Sequence, residues 1–239
     1  MLKGIYAAAS GMNFQLHQVE TISENLANAN TTGYQKVELL GKSFGDFVAQ
    51  MDKPSPVGLG VQIDGLARYN RPGHVRITNN PLNVALQSEG YFLVRNQRGQ
   101  EVLTRNGNFQ LSPDSYLQTQ SGEWVLDTNR NRIRIEGNTE LVSVHGNGQI
   151  YQGEDDLGRL LVVNPPAETL TDFPLAPGGL QEARNSQVRH KALEESNVEI
   201  IGEMVALMSA NRAYGFAQKA INTQDNVLNK TANDLGRVQ

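Results

Sequence analysis

Four histidines are the residues best suited to bind a metal ion or to move protons at neutral pH: His17, His74, His145 and His190. No two of them have the spacing of paired metal ligands, and the chain has no cysteine that could complete a thiolate site. The acidic run at residues 154–156 lacks the spaced oxygen ligands and the distal glutamate of an EF-hand loop. The sequence therefore predicts no metal site and no cofactor.

Three glycine-containing patterns resemble parts of enzyme motifs. Gly41-Lys42-Ser43-Phe44-Gly45 matches the Gly-x-Ser-x-Gly elbow of hydrolases, but that elbow follows earlier strands of its sheet, and here a predicted helix and turn precede it. The Gly-Lys-Ser run also lacks the upstream glycine of a P-loop, because Lys36 occupies that position. Gly58-Leu59-Gly60 lacks the third glycine of a dinucleotide-binding fingerprint. We therefore predict no catalytic residue and no enzymatic activity.

The composition excludes several classes of partner. The net charge of the 239 residues is -4, so no global basic charge favours binding to nucleic acid. No apolar run approaches the roughly 18 residues that a membrane-spanning helix needs, so we expect no membrane insertion. The first residues also lack the pattern of a secretory signal peptide, and export is expected to use another route without cleavage.

The N-terminal residues show a helical pattern with a narrow apolar seam. Apolar or small side chains recur in alternating steps of three and four at Leu2, Ile5, Ala9, Met12, Leu16, Val19 and, after the polar Ser23, Leu26. This heptad spacing is typical of a coiled coil. Asn28–Gly33 is rich in turn-forming residues and predicts the end of the helix.

The C-terminal residues predict a second and longer helix, from about Ala192 to Gly236. Apolar side chains recur every seven residues at Ile200, Leu207, Tyr214, Ile221, Leu228 and Leu235, with partner seam positions at Met204, Asn211, Gln218, Asp225 and Ala232. Such a helix would be roughly 65 Å long at 1.5 Å per residue. It needs the N-terminal helix or neighbouring molecules to cover its seam, although both helices packing on one monomeric core is an alternative.

The middle of the chain predicts short antiparallel strands. Runs rich in apolar and β-branched residues, separated by turn signals, lie at 91–94, 101–104, 123–126, 132–135, 141–144 and 160–163. Arg130, Arg132 and Arg134 alternate with other residues, as on the solvent face of a strand. The predicted class is α+β: paired terminal helices at 1–36 and 190–239, a connector at 37–72 and an inserted antiparallel β-rich module at 73–189.

The N-terminal motif now suggests a family. Residues 5–12 read Ile-Tyr-x-Ala-Ala-Ser-Gly-Met, and residues 24–34 read Glu-Asn-Leu-Ala-Asn-x-Asn-Thr-Thr-Gly-Tyr. This resembles the N-terminal signature of flagellar rod and hook proteins, with Glu24 where an asparagine is usual. The signature residues are Ser10, Gly11, Met12, Asn25, Leu26, Ala27, Asn28, Asn30, Thr31 and Gly33, together with Arg212, Ala213 and Tyr214 near the other end.

The C-terminal and central residues resemble the same family. Residues 196–199 read Ser-Asn-Val-Glu and precede Met204, Met208 and the Arg-Ala-Tyr of 212–214. Asn211 replaces a usual glutamine and Gly215 a usual glutamate, and the glycine costs about 1 kcal/mol inside a helix. Residues 80–86, 90–94 and 104–109 resemble the β-domain pattern of the family, with Asn83 for aspartate and Ser88 for glycine. The resemblance covers nearly the whole chain.

The resemblance implies a structural role. Proteins of this family leave the cytoplasm unfolded through the flagellar type III export apparatus and polymerise in the periplasm as a helical tube. Their terminal helices pair in the inner layer, and the β-module faces outward. We therefore expect partners among copies of this chain or homologous rod and hook subunits. The expected assembly interface comprises Leu2, Ile5, Met12, Leu16, Val19, Leu26, Ile200, Met204, Leu207, Tyr214, Ile221, Leu228 and Leu235.

The length of the chain favours one type of rod subunit. Distal-rod members of the family are longer, and hook proteins carry an extra outer domain. The 239 residues with one β-module therefore favour a proximal-rod subunit, with the distal rod as the alternative. An alternative from another class is a monomeric secreted binding module with a coiled-coil tail. That class predicts a concave aromatic-lined site, whereas aromatic residues make up 6% of this chain.

Overall fold

The computed structural model describes residues 2–43, 60–164, 180–183 and 186–236. Helix α1 (Leu2–Ala27) begins this part of the chain and helix α2 (Ile200–Gly236) ends it, with short strands between them. The described residues form two compact units. The helical unit takes them from Met1–Leu26, Val37–Ala67 and Glu199–Gln239, and the β-unit from Ala27–Lys36 and Arg68–Val198. The predicted α+β class is confirmed.

The boundaries of the two units differ from the predicted ones. The turn at 27–36, which we grouped with the N-terminal helix, belongs to the β-unit. Most of the predicted connector belongs to the helical unit, where β1 (Val37–Ser43) and β2 (Val61–Arg68) form a two-stranded sheet. Pro54-Ser55-Pro56 lies outside the described residues.

Helix α2 begins eight residues later than predicted. Ala192–Glu194 forms a strand, all three residues are buried, and the strand pairs with residues 75–77. Pairing and burial in the β-unit therefore override the helical spacing there. From Ile200 the helix continues without interruption through Gly215 to Gly236. The glycine that departs from the family pattern thus does not break it.

The remaining strands form the β-unit. They are β3 (Val75–Ile77), β4 (Val84–Leu86), β5 (Tyr91–Arg95), β6 (Glu101–Thr104), β7 (Phe109–Leu111), β8 (Leu117–Thr119), β9 (Trp124–Val125), β10 (Val142–Val144), β11 (Gln149–Gln152), β12 (Asp155–Arg159), β13 (Val162–Asn164), β14 (Gln181–Glu182), β15 (Val188–His190) and β16 (Ala192–Glu194). One sheet has the order β14-β13-β5-β9-β8-β7, with β6 also paired to β5. The strands β10-β11-β12 form a second sheet, and β15-β4 and β16-β3 are two-stranded. These pairs are antiparallel, as predicted.

Strand β5 separates two parts of the hydrophobic core. Phe92 and Val94 pack in a large cluster that includes Phe109, and Tyr91 and Leu93 pack in a smaller one on the other side. Alternate side chains of a strand point to opposite faces, so a strand buried on both faces is apolar at every position. This explains the uninterrupted Tyr-Phe-Leu-Val run.

The predicted strand at 132–135 is wrong, although its alternation is present. These residues make isolated bridges, with Arg132 opposite Leu126 and Arg134 opposite Tyr116. Ile133 and the following Ile135 are buried, whereas both arginines are exposed. The apolar–polar alternation therefore correctly identifies the buried face, but not a regular ladder.

Candidate assembly surface

Helices α1 and α2 lie side by side and antiparallel within the helical unit. Near one end the Asn25 side chain donates a hydrogen bond to Glu203 Oε2 at 3.4 Å. Near the other end a Cβ atom on Gly4 would overlap the side-chain amide of Gln224. The two contacts are 21 residues apart on each helix, so the helices run alongside each other over about 32 Å at 1.5 Å per residue. The predicted pairing of the terminal helices is confirmed.

One face of α2 is less exposed than the rest of the helix. It comprises Glu203, Leu207, Ala210, Tyr214, Ala217, Ile221, Gln224 and Leu228, in alternating steps of four and three. Glu203 and Ala210 are buried. Four residues of this face each precede a predicted partner position by one residue: Glu203, Ala210, Ala217 and Gln224. The predicted partner positions Met204, Asn211, Gln218 and Asp225 are exposed. Small side chains at 210 and 217 let a neighbouring helix approach closely, which explains why this phase faces inward.

The opposite face of α2 carries an exposed apolar stripe. It comprises Ile201, Met204, Val205, Met208 and Phe216, each between 47% and 75% exposed, with Arg212 also exposed between the last two. Steps of three and four residues place these side chains on one side of a helix. We call this surface the α2 stripe. Soluble monomers rarely expose contiguous apolar patches of this kind, which usually mark a surface that binds another molecule.

Only part of the α2 stripe was predicted from the sequence. Met204 was assigned to the interface and is 47% exposed, and Ile200 beside the stripe is 38% exposed. Ile201, Val205, Met208 and Phe216 were not assigned to the interface, although the first three each follow a predicted seam position by one residue. Periodicity alone does not show which of two adjacent phases faces the partner helix.

Helix α1 contributes a mixed surface. Ile5, Met12, Val19 and Leu26 are half-buried, whereas Leu16 is 46% exposed. The side chains of Leu2 and Leu235, two further predicted interface residues, lie outside the described residues. The predicted interface residues thus divide between the contact of the two helices and open surface.

The signature residue Asn25 joins α1 to strand β1. Its side chain is buried, donates to the Val37 carbonyl at 2.8 Å and accepts from the Val37 N–H at 2.9 Å. One amide thus occupies both backbone groups of the first residue of β1, as a neighbouring strand would. Asn25 is therefore a positioning residue for the chain that leaves the turn.

The signature turn at 27–36 and the residues before α2 meet in the β-unit. The Gly33 N–H donates to the Glu194 carbonyl at 2.8 Å, and the Lys36 N–H donates to Asn197 Oδ1 at 2.6 Å. The Asn197 amide also donates to the carbonyls of Tyr69 and Arg71, at 2.8 Å each. A single asparagine thus binds two other segments of the chain, which explains the Ser-Asn-Val-Glu motif at this position.

A buried ion pair supports this junction. Arg105 Nε donates to both carboxylate oxygens of Glu194 at 2.9 Å, and its terminal nitrogens donate to the carbonyls of Gly90 and Ser88. The Gly73 N–H donates to the same carboxylate at 3.0 Å. Burial raises the pKa of Glu194, and the Arg105 guanidinium opposes that shift. Each of the three guanidinium nitrogens has a protein partner, so the arrangement is structural.

A buried tyrosine ties the turn to the sheet beside this pair. Tyr91 is 1% exposed, and its hydroxyl donates to Gln35 Oε1 at 2.5 Å. Burial raises the pKa of Tyr91, and the positive charges of Arg68 and Arg105 oppose the shift. This contact was not predicted from the sequence, because residues 35 and 91 belong to segments with no shared periodicity.

The histidines and the serine motif considered above as possible metal-binding or catalytic residues can now be placed in the structure. His17 Nδ1 lies 2.9 Å from Glu20, His190 Nε2 lies 2.8 Å from the Pro81 carbonyl, and the His145 ring packs against Tyr151. Burial lowers the pKa of His190. Within the described ranges no three metal-ligating side chains come together, and no helix is long and apolar enough to cross a membrane. Ser43 ends β1, and the rest of its motif lies outside the described residues.

Three models of protein families match separate parts of the chain. "Flagella basal body rod protein" matches residues 5–35, "Flagellar hook protein FlgE/F/G D1 domain" matches 85–152, and "Flagellar basal body rod FlgEFG protein C-terminal" matches 189–235. The matched segments include α1 with the signature turn, much of the β-unit, and α2 with the strands before it. They follow one another in the order of the predicted motifs.

Curated relatives match over nearly the full length. The flagellar basal-body rod protein FlgG of Borreliella burgdorferi is 30% identical over 270 aligned residues, covering 99% of this chain and 100% of the relative. The rod protein FlgF of Caulobacter vibrioides is 28% identical over 248 residues and covers both chains completely. FlgG of Agrobacterium fabrum is 27% identical over 268 residues, covering 98% of this chain and 100% of the relative.

Proposed function

This chain belongs to the family of flagellar basal-body rod proteins and is a structural subunit of that rod, and we propose that it is a subunit of the proximal type. Its length supports the proposal. The alignment with the relative named FlgF has 248 positions against 239 residues here, whereas alignments with relatives named FlgG have 263 to 270. In the family that the sequence resembles, distal-rod members are longer than proximal-rod members. A distal-rod subunit remains the second candidate, since a FlgG relative is 30% identical and the FlgF relative 28%.

The observation that carries the assembly role is the α2 stripe. Its residues are apolar and exposed on the face of α2 opposite the one that α1 covers. An apolar stripe of this kind is stabilised when another molecule removes it from water, at about 25 cal/mol per Å² of apolar surface. If that molecule contacts a different surface of its neighbour, the contact does not close on itself and generates a helical array. The role is mechanical, and we assign the chain no catalytic function.

The proposed assembly partners and export route are those of the family. We propose that the partners are copies of this chain and homologous rod and hook subunits. Export through the flagellar type III apparatus as an unfolded chain suits two long helices, because isolated helices are marginal in water until they are packed. Mass spectrometry of assembled rods should recover the original N-terminal residues with at most Met1 removed. Loss of about 15–30 residues would indicate a secretory signal instead.

A single substitution in the α2 stripe tests the assembly role. Met208→Asp places a charge in the middle of the stripe, at a side chain that is 54% exposed, so the fold of the monomer should be unaffected. We expect the variant to be missing from purified basal bodies and the cells to be non-motile. The matched control is Leu141→Asp, which changes a 58% exposed leucine of the β-unit. Equal incorporation of both variants would contradict the assignment of the α2 stripe to assembly.

A further inference from the structure

We propose that the α2 stripe of one copy docks in a groove between α1 and the β1–β2 sheet of a second copy. The proposal rests on the proposed assembly role and names the receiving surface. The groove lies within the helical unit and has a volume of about 380 Å³. Helix α1 lines it with His17, Glu20, Thr21 and Glu24, and the sheet lines it with Leu39, Ile63, Gly65 and Leu66.

The groove has an apolar side and an acidic side. Leu39, Ile63 and Leu66 supply aliphatic surface from the two strands. Glu20 and Glu24 follow each other at an interval of one helical turn on α1, and the Glu20 side chain is 61% exposed. Gly65 has open space where a Cβ would be, which keeps the strand side accessible. A fitting occupant therefore presents an apolar side chain to the strands and a cation to α1.

The α2 stripe has this pattern. Met208 and Arg212 are four residues apart and therefore lie on the same side of the helix. Met208 is 54% exposed, Arg212 is also exposed, and Arg212 makes no ion pair with any other described residue. With Met208 against the strands, Arg212 reaches the Glu20–Glu24 side. The positive charge of Arg212 then lies opposite the negative charges of Glu20 and Glu24, which favours this register.

The contact is between two different surfaces. Each copy would offer its α2 stripe to one neighbour and its groove to another, so the array continues instead of closing as a dimer. Two α2 stripes facing each other would instead bring like charges together at Arg212 and give a closed pair. The proposal thus distinguishes a growing rod from a symmetric dimer.

Disulfide cross-linking in assembling cells tests this geometry, because the natural chain has no cysteine. The double variant Leu39→Cys with Met208→Cys should give cross-linked products at twice and higher multiples of 26.3 kDa after mild oxidation. Cells that produce the two single variants together should give dimers only. Met208→Cys alone should give no cross-linked product, and a dimer from it would show that two α2 stripes face each other and overturn the proposal.

A charge exchange provides an independent test with the full chain. Arg212→Glu should reduce incorporation into rods about ten-fold or more, since an unpaired charge at a buried contact costs more than the free energy of a ten-fold change. Adding Glu20→Lys to that variant should restore incorporation, since the Glu20 side chain is 61% exposed. Normal incorporation of Arg212→Glu, or rods that contain the double cysteine variant without any cross-link, would overturn the groove while leaving the rod function intact. Absence of the unmodified chain from rods would instead overturn the proposed function itself.

Discussion

Arg105 and Glu194 form an ion pair in which the guanidinium is 0% exposed and the carboxylate 2% exposed. The carbonyl of the same glutamate accepts the N–H of Gly33, so one residue binds both a β-unit arginine and the turn that follows α1. The pair joins residues that are 89 positions apart in the chain. It lies at the junction of the two signature motifs.

Removing one partner of this pair should strongly destabilise the β-unit. Arg105→Met leaves a buried carboxylate without its counter-charge, which costs about 3–5 kcal/mol of unfolding free energy. Denaturant unfolding followed by the fluorescence of Trp124, the single tryptophan, measures this loss. The matched control is Arg76→Met, which removes the partner of the adjacent Glu195 at the surface and should cost less than about 1 kcal/mol. Similar losses in both variants would show that burial of the pair is irrelevant.

Gly33 should not tolerate a side chain. Its φ is +68°, and a Cβ atom would overlap the backbone nitrogen of Asn106. Gly33→Ala should therefore cost more than about 2 kcal/mol, combining the left-handed strain with the overlap. Gly137 has a φ of +77° with open space around it, so Gly137→Ala reports the strain alone, at about 1–2 kcal/mol. If the two alanine variants unfold at the same denaturant concentration, the close approach of the turn to Asn106 is not a constraint.

Asn25→Ala should detach the start of β1 from α1. The substitution removes the partner of both the N–H and the carbonyl of Val37, and an unsatisfied buried polar group costs about 1–3 kcal/mol. Hydrogen exchange at the Val37 amide should accelerate. Asn13→Ala changes an exposed asparagine of the same helix and should leave that amide unchanged. Unaltered exchange in the Asn25 variant would mean that other contacts hold β1.

The two units should respond independently to a charge in the helix contact. Ile221 lies on the less exposed face of α2, whereas Trp124 lies in the β-unit. Ile221→Asp should abolish incorporation into rods and motility, because it places an unpaired charge against α1. The unfolding midpoint reported by Trp124 should not change. A sharp fall of that midpoint would show that α2 and the β-unit unfold as one core.

Local periodicity predicted much of this fold. The alternation at 132–135 and the apolar run of β5 identified buried positions, because the pleat of a strand fixes which side chains share a face. The start of α2 was misplaced since Ala192–Glu194 gains pairing with β3, a partner about 115 residues away. Helical spacing carries no information about such distant partners.

Local periodicity also predicted only part of the candidate assembly surface. The seven-residue recurrence of Leu207, Tyr214 and Ile221 was visible in the sequence, and all three are half-buried. The α2 stripe was not found, because the phase of α2 depends on its contacts with α1 near Gly4 and Asn25. The hydrogen bonds of Asn197 join segments that no local pattern connects. The family motif marked this residue, and the structure supplies the physical reason.

A cryo-EM map of basal bodies purified from cells that produce this chain would show whether the chain is a subunit of the proximal rod and whether its α2 stripe is buried. Density for this chain is expected in the proximal part of the rod, with α1 and α2 paired in each copy. Side-chain density should distinguish the uninterrupted helix Ile200–Gly236 of this chain from those of homologous subunits. Rods that contain no copy of the chain, or copies whose α2 stripe faces solvent, would contradict the proposed assembly role.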